Sequence, residues 1–172
     1  MKLSSTLGVA LCGALLFTSV AAAQRSARRM PDTPAGDEVG VAIALQAGGD
    51  SYQFNGQATC TQEPKGYIYG LPAHLRTIEQ SDGQRSISLT LWSPAKKATM
   101  FTLHLSSRGK SYETDTVTGE NAGPTSGSGT VTFAPAGAGG TFTVNATTAK
   151  GAKVTGTIRC DAFRTAIAEG GN

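Results

Sequence analysis

The chain has little of what most enzymes and metal proteins depend on. Its 172 residues include 3 cysteines, 2 histidines and 1 tryptophan, and aromatic residues make up 6%. The histidines, His74 and His104, belong to no HExxH run and to no carboxylate cluster, so no metal or cofactor is indicated. A GxSxG elbow is missing. The glycine pieces "GSG" at 127–129 and "GAGG" at 137–140 do not lead into a helix, which makes them turns rather than phosphate loops. Charge is also in short supply, with 15 basic and 12 acidic residues and a net of +3. A basic nucleic-acid footprint is therefore absent. The apolar run from Leu7 to Val20 is shorter than the roughly 20 residues of a membrane span.

That run has another reading. Lys2 precedes it and Ala21, Ala22 and Ala23 follow it, the three-part pattern of a secretory signal with cleavage expected after Ala23. Cys12 does not suit lipidation, because Leu11 stands before it and much of the apolar run lies after it. Removing residues 1–23 leaves 172 − 23 = 149 residues, enough for one domain with a core. Residues 24–38, with Arg25, Arg28 and Arg29 beside "PDTPAGDE", read as a flexible linker. A single domain follows at 39–168, then a short tail at 169–172. The expected location is periplasmic or secreted, with no transmembrane segment after cleavage.

Once Cys12 is removed, Cys60 and Cys160 are the sole pair, and an exported protein meets an oxidising compartment. Both sit in segments of period-two alternation. In "SYQFNGQATC" one face carries Tyr52, Phe54, Gly56, Ala58 and Cys60; in "VTGTIRC" one face carries Val154, Gly156, Ile158 and Cys160. Half-buried strands alternate in this way. A buried disulfide between an early strand and the last one is the expectation.

The same alternation recurs in Val39/Val41/Ile43/Leu45, Ile87/Leu89/Leu91, Phe101/Leu103/Leu105, Val131/Phe133 and Phe142/Val144/Ala146, with turn sequences between. Expected hairpins pair 39–46 with 51–60, 86–92 with 99–106, 99–106 with 111–118, and 129–134 with 141–147, the last leading to 153–160. The segment "LPAHLRTIEQSDG" fits one helical turn or a bulged strand. In "CDAFRTAIAEGGN", Asp161 suits a cap and Phe163 and Ile167 share a helical face, which predicts a short C-terminal helix. The fold expected is all-β: an antiparallel sandwich, or a closed or partly closed barrel, of about 7–9 strands.

Function has two candidate sources. Tyr67, Tyr69 and Trp92 alternate with apolar residues, and would form an outward aromatic patch if those residues face the core. His104 with Glu113 or Asp115 on a neighbouring strand would be the makings of an acid–base pair. The first points to a non-catalytic binding module for a small ligand or an envelope protein. A structural envelope role is its alternative, and the second would make the protein an enzyme.

The pattern "SDGQRSISLTLW…TMFTLHL…GSGTVTF…GGTFTVNATTAKGAKVTGTIRCDAF" resembles small exported β-domain proteins of Gram-negative bacteria. Over residues 39–162 it is more loosely similar to mycobacterial surface lipoprotein antigens, which also run a Gly/Thr-rich β domain between an early and a terminal cysteine. The lipobox of those antigens has no counterpart here. The resemblance implies an exported β domain and transfers no functional residue.

Overall fold

A computed structural model of the protein describes residues 38–68, 71–119 and 122–166. The expected signal peptide, nearly all of the linker, Tyr69 and the tail lie outside the described residues. Among the described residues there are ten strands: β1 (Glu38–Ala47), β2 (Asp50–Ile68), β3 (Leu71–Ser81), β4 (Arg85–Pro94), β5 (Met100–Ser107), β6 (Lys110–Asp115), β7 (Ser128–Ala136), β8 (Gly139–Thr147), β9 (Lys153–Cys160) and β10 (Arg164–Thr165).

Nine of them form one antiparallel sheet in the order β6-β5-β4-β3-β2-β1-β9-β8-β7. The sheet curls until its two ends meet at Asp115 and Ser126, which exchange backbone hydrogen bonds of 2.7 and 2.8 Å. The protein is thus a nearly closed nine-stranded barrel, and all the hairpins expected from alternation are present. The segment at 71–81 is the strand β3.

Alternation decides what fills the barrel. Inward positions carry Tyr52, Phe101, Phe142, Leu45, Leu89 and Ile158, all fully buried. Outward positions are rich in Thr, Ser, Gln and charged residues, the reverse of the apolar outer belt of a membrane barrel. Among the described residues no helix is long and apolar enough to cross a membrane. The buried polar side chains include Gln80, which accepts a hydrogen bond from the Tyr52 hydroxyl. The Cys60–Cys160 disulfide is formed, with both cysteines in the core.

The seam has a simple geometric origin. Arg108 and Gly109 have φ of 52° and 73°, the two positive values of a type I′ turn. Ser107 and Lys110 flank that turn as a hydrogen-bonded pair, so along β6 the backbone groups of Ser111, Glu113 and Asp115 point away from β5. Asp115 uses its pair on Ser126. Among the described residues Ser111 and Glu113 have no such backbone partner.

One local expectation is corrected. Residues 161–166 form no helix. Arg164 and Thr165 pair in parallel with Thr61 and Gln62 of β2, and the Ala166 N–H donates to the Gln62 carbonyl at 2.9 Å. The disulfide at Cys160 delivers the chain beside β2, where an open edge offers hydrogen bonds that a one-turn helix would forgo. Phe163 packs from this extended backbone, its ring 5.6 Å from Phe133 and 5.9 Å from Phe142. Ile167, the other half of the expected helical face, lies outside the described residues. β2 also departs from regular pairing, its register with β3 slipping between Glu63 and Gly66. This bulge inserts one residue and reverses which side chains face inward beyond it.

Candidate functional site

Among the described residues β1 pairs with β2 as far as Thr59. Beyond that point β2 and β3 continue as a hairpin projecting past the barrel mouth, and its two faces differ. Pairing places Leu75 beside Trp92, Ala73 beside Pro94 and Gly66 on the outer face, while Tyr67, Pro72, His74 and Ser93 share the inner one.

The outer face is covered. Ile68, Ala73, Met100 and Val117 are buried together, with Leu71, Trp92 and Ala122 packed against them. Trp92 is therefore part of a satellite core beneath the segment that follows β6. Tyr67, 70% exposed, is on the opposite face. The structure does not bring Tyr67 and Trp92 into one patch, and the physical reason is the bulge: without it, odd-numbered residues would continue to face outward along β2. Tyr69 lies outside the described residues.

The inner face bounds a cleft of about 380 Å³, lined by Pro64, Lys65, Tyr67, Pro72, His74 and Ser93 among others. Two residues along β3 from His74, next to this lining, Arg76 occupies an inward position between Gln62 of β2 and Leu91 of β4. Its guanidinium lies 4.1 Å above the Phe133 ring, and that ring packs on Phe142 at 4.8 Å. Nη2 of Arg76 donates to Nδ1 of His74 at 3.1 Å. Arginine has no acceptor, so Nδ1 carries no proton and Nε2–H donates to Oε1 of Gln62 at 3.3 Å. His74 is thereby held neutral, and burial, then the neighbouring Arg76 charge, lowers its pKa.

Arg76 itself has an unusual balance. It is partly buried, its Nε has no hydrogen-bond partner, and burial also lowers its pKa. The ion pairs among the described residues are Asp82–Arg85, Asp50–Lys110 and Arg159–Asp161, and none involves Arg76. A cation over an aromatic face gains on the order of 1–2 kcal/mol, against a larger cost for desolvating an unpaired charge.

The hydrogen-bonded state of His74 has a consequence for pH. The unfolded chain takes up a proton at this residue near pH 6.5, whereas the folded barrel does so only at lower pH. Its contribution to stability is complete above about pH 6.5 and is lost as the pH falls below that value toward the folded pKa. Urea unfolding should show a lower midpoint at pH 5.5 than at pH 7.5, with the difference reduced in His74→Gln. An equal difference in the variant would assign the effect elsewhere.

A second cleft, of about 470 Å³, opens at the other end between β6 and the turn joining β8 to β9, lined by Lys110, Tyr112, Thr148 and Lys150 among others. Here charge is internally balanced. Asp50 Oδ2 accepts from Lys110 Nζ at 2.7 Å and from the Tyr112 hydroxyl at 2.8 Å, and these bonds, Lys110 first, lower its pKa. His104 and Glu113 are cross-strand neighbours on the outer wall, both exposed. Among the described residues neither Glu113 nor Asp115 bonds to His104. Glu113 accepts from Ser111 Oγ, and Asp115 from the Val117 N–H, each at 2.8 Å.

Alternation within "HLRTI" was the available signal for the mouth. It puts His74 and Arg76 on the same face as buried Ile78, two polar groups on a core-facing stripe.

No family model matches the chain, and the comparisons with curated proteins and with solved structures return no match. The barrel and its mouth define the protein on their own terms.

Proposed function

We propose that the protein is an exported, non-catalytic binding module that takes a small ligand in the cleft at the barrel mouth. The observation that carries this reading is the solvent-exposed Tyr67, which lines one cleft with His74, itself bonded to an arginine that has no acidic partner among the described residues. Aromatic walls with a few fixed polar groups are the usual make-up of small-molecule sites. Side chains fill the barrel interior, which directs a ligand to its end rather than its centre. The signal-like N-terminus and the disulfide support export.

Native mass spectrometry of the protein purified from its own compartment tests the reading. A dissociable extra mass is expected, and Tyr67→Ala should reduce its occupancy severalfold while leaving the melting temperature unchanged, since Tyr67 is outside both apolar clusters. Undiminished occupancy in Tyr67→Ala would place the ligand elsewhere.

A further inference from the structure

Resting on that reading, we infer that the mouth is an oxyanion site: Arg76 holds the carboxylate or phosphate group of a small molecule whose body lies against Tyr67. Several observations converge. The guanidinium offers five N–H donors; His74 takes one of them, and among the described residues no carboxylate takes any. The buried Nε is left without a partner. Phe133 covers one face of the guanidinium at 4.1 Å, and the planar fork keeps the parallel two-bond geometry that guanidinium makes with oxyanions.

The surroundings reinforce the sign. His74 accepts from Arg76 and passes its other N–H to Gln62, which orients the guanidinium without neutralising it. Lys65 lines the cleft as a second cation. Glu63, the nearest acid on β2, is paired with Leu75, whose side chain belongs to the outer face. A charge retained with no acidic partner among the described residues, in a partly buried place, is costly to keep, and ligand sites are where such costs are tolerated. The other cleft shows the contrast, since its Lys110 already has Asp50.

The experiment is a titration of the folded, oxidised protein followed by NMR, using benzoate and phenyl phosphate against their neutral relatives benzamide and benzyl alcohol. At least one anion should bind saturably, shifting the Arg76 Nε–H, the His74 ring and the Ser93 amide. It should do so at least tenfold more tightly than its neutral relative. Arg76→Met should weaken anion binding tenfold or more while the melting temperature holds or rises, because a buried unpaired charge has been replaced by an apolar chain of similar length. Arg76→Lys, which keeps the charge but loses the planar fork, should fall between.

Anions and neutral compounds binding equally well at Tyr67 would overturn the oxyanion assignment and leave the binding module standing. The absence of anion shifts at the mouth of the wild-type protein would overturn the assignment whatever mass co-purifies. Arg76→Met unfolding the barrel would also overturn it, by showing that the arginine is there to hold the mouth together.

Discussion

Replacing Cys60 and Cys160 together by alanine lowers the stability of the barrel by about 4–5 kcal/mol. The bridge closes a loop across a sequence separation of 100, and in the chain-entropy account a loop of that size restricts the unfolded chain by about that amount. Geometry adds a local reason. β2 and β9 are both neighbours of β1, and strands two places apart in a flat sheet are about 9–10 Å apart. The cysteine Cα atoms are only 6.4 Å apart, so the two strands converge where β1 begins. Equilibrium urea unfolding of the double variant, and of the wild type under reducing conditions, should agree to within about 1 kcal/mol. A loss below about 1 kcal/mol would mean that the converged strands and β10 hold the mouth without the bridge.

The second large effect belongs to Gly156. It sits in β9, paired with Leu45 of β1 on one side and Val144 of β8 on the other, with φ of 139°. A β-carbon added there would run into the Ala44 carbonyl oxygen and come within 2.9 Å of Leu45 Cα. Both neighbours are backbone, and neither can swing aside. Gly156→Ala should therefore destabilise by about 3–5 kcal/mol, combining backbone strain with overpacking. Gly49→Ala is the control. Its φ is 94°, but nothing lies within 4 Å of the added carbon, so the conformational part alone, about 1–3 kcal/mol, remains. Chemical denaturation of the two variants separates the contributions. Equal losses would mean that β1 and β9 part easily at Gly156.

Strand identity was legible because each inward position is apolar for several residues in a row, as in Val39, Val41, Ile43 and Leu45. The disulfide was legible for the same reason, with both sulfurs on apolar stripes. Closure into a barrel was not, because it depends on twist accumulated over nine strands, which no local alternation records. The C-terminal segment was misread because a capping residue and a three-to-four spacing say nothing about an open β2 edge lying within reach. The candidate site was half legible. Tyr67 was singled out from the sequence, but the company it keeps was set by one extra residue between Glu63 and Gly66. Arg76 was passed over, because a cation in a strand is ordinarily a solvated one.

The sheet order carries a kinetic meaning. Reading along β6-β5-β4-β3-β2-β1 and along β9-β8-β7, every neighbour is also the next strand in the chain, so both runs are meanders assembled from local contacts. β1 against β9 is the one pairing in the nine-strand path that joins distant parts of the sequence. Search time in folding grows with such distant contacts, and here it is concentrated in a single docking event. Cys60 and Cys160 lie at that junction, so once oxidised they turn the slowest encounter of the chain into a short-range one.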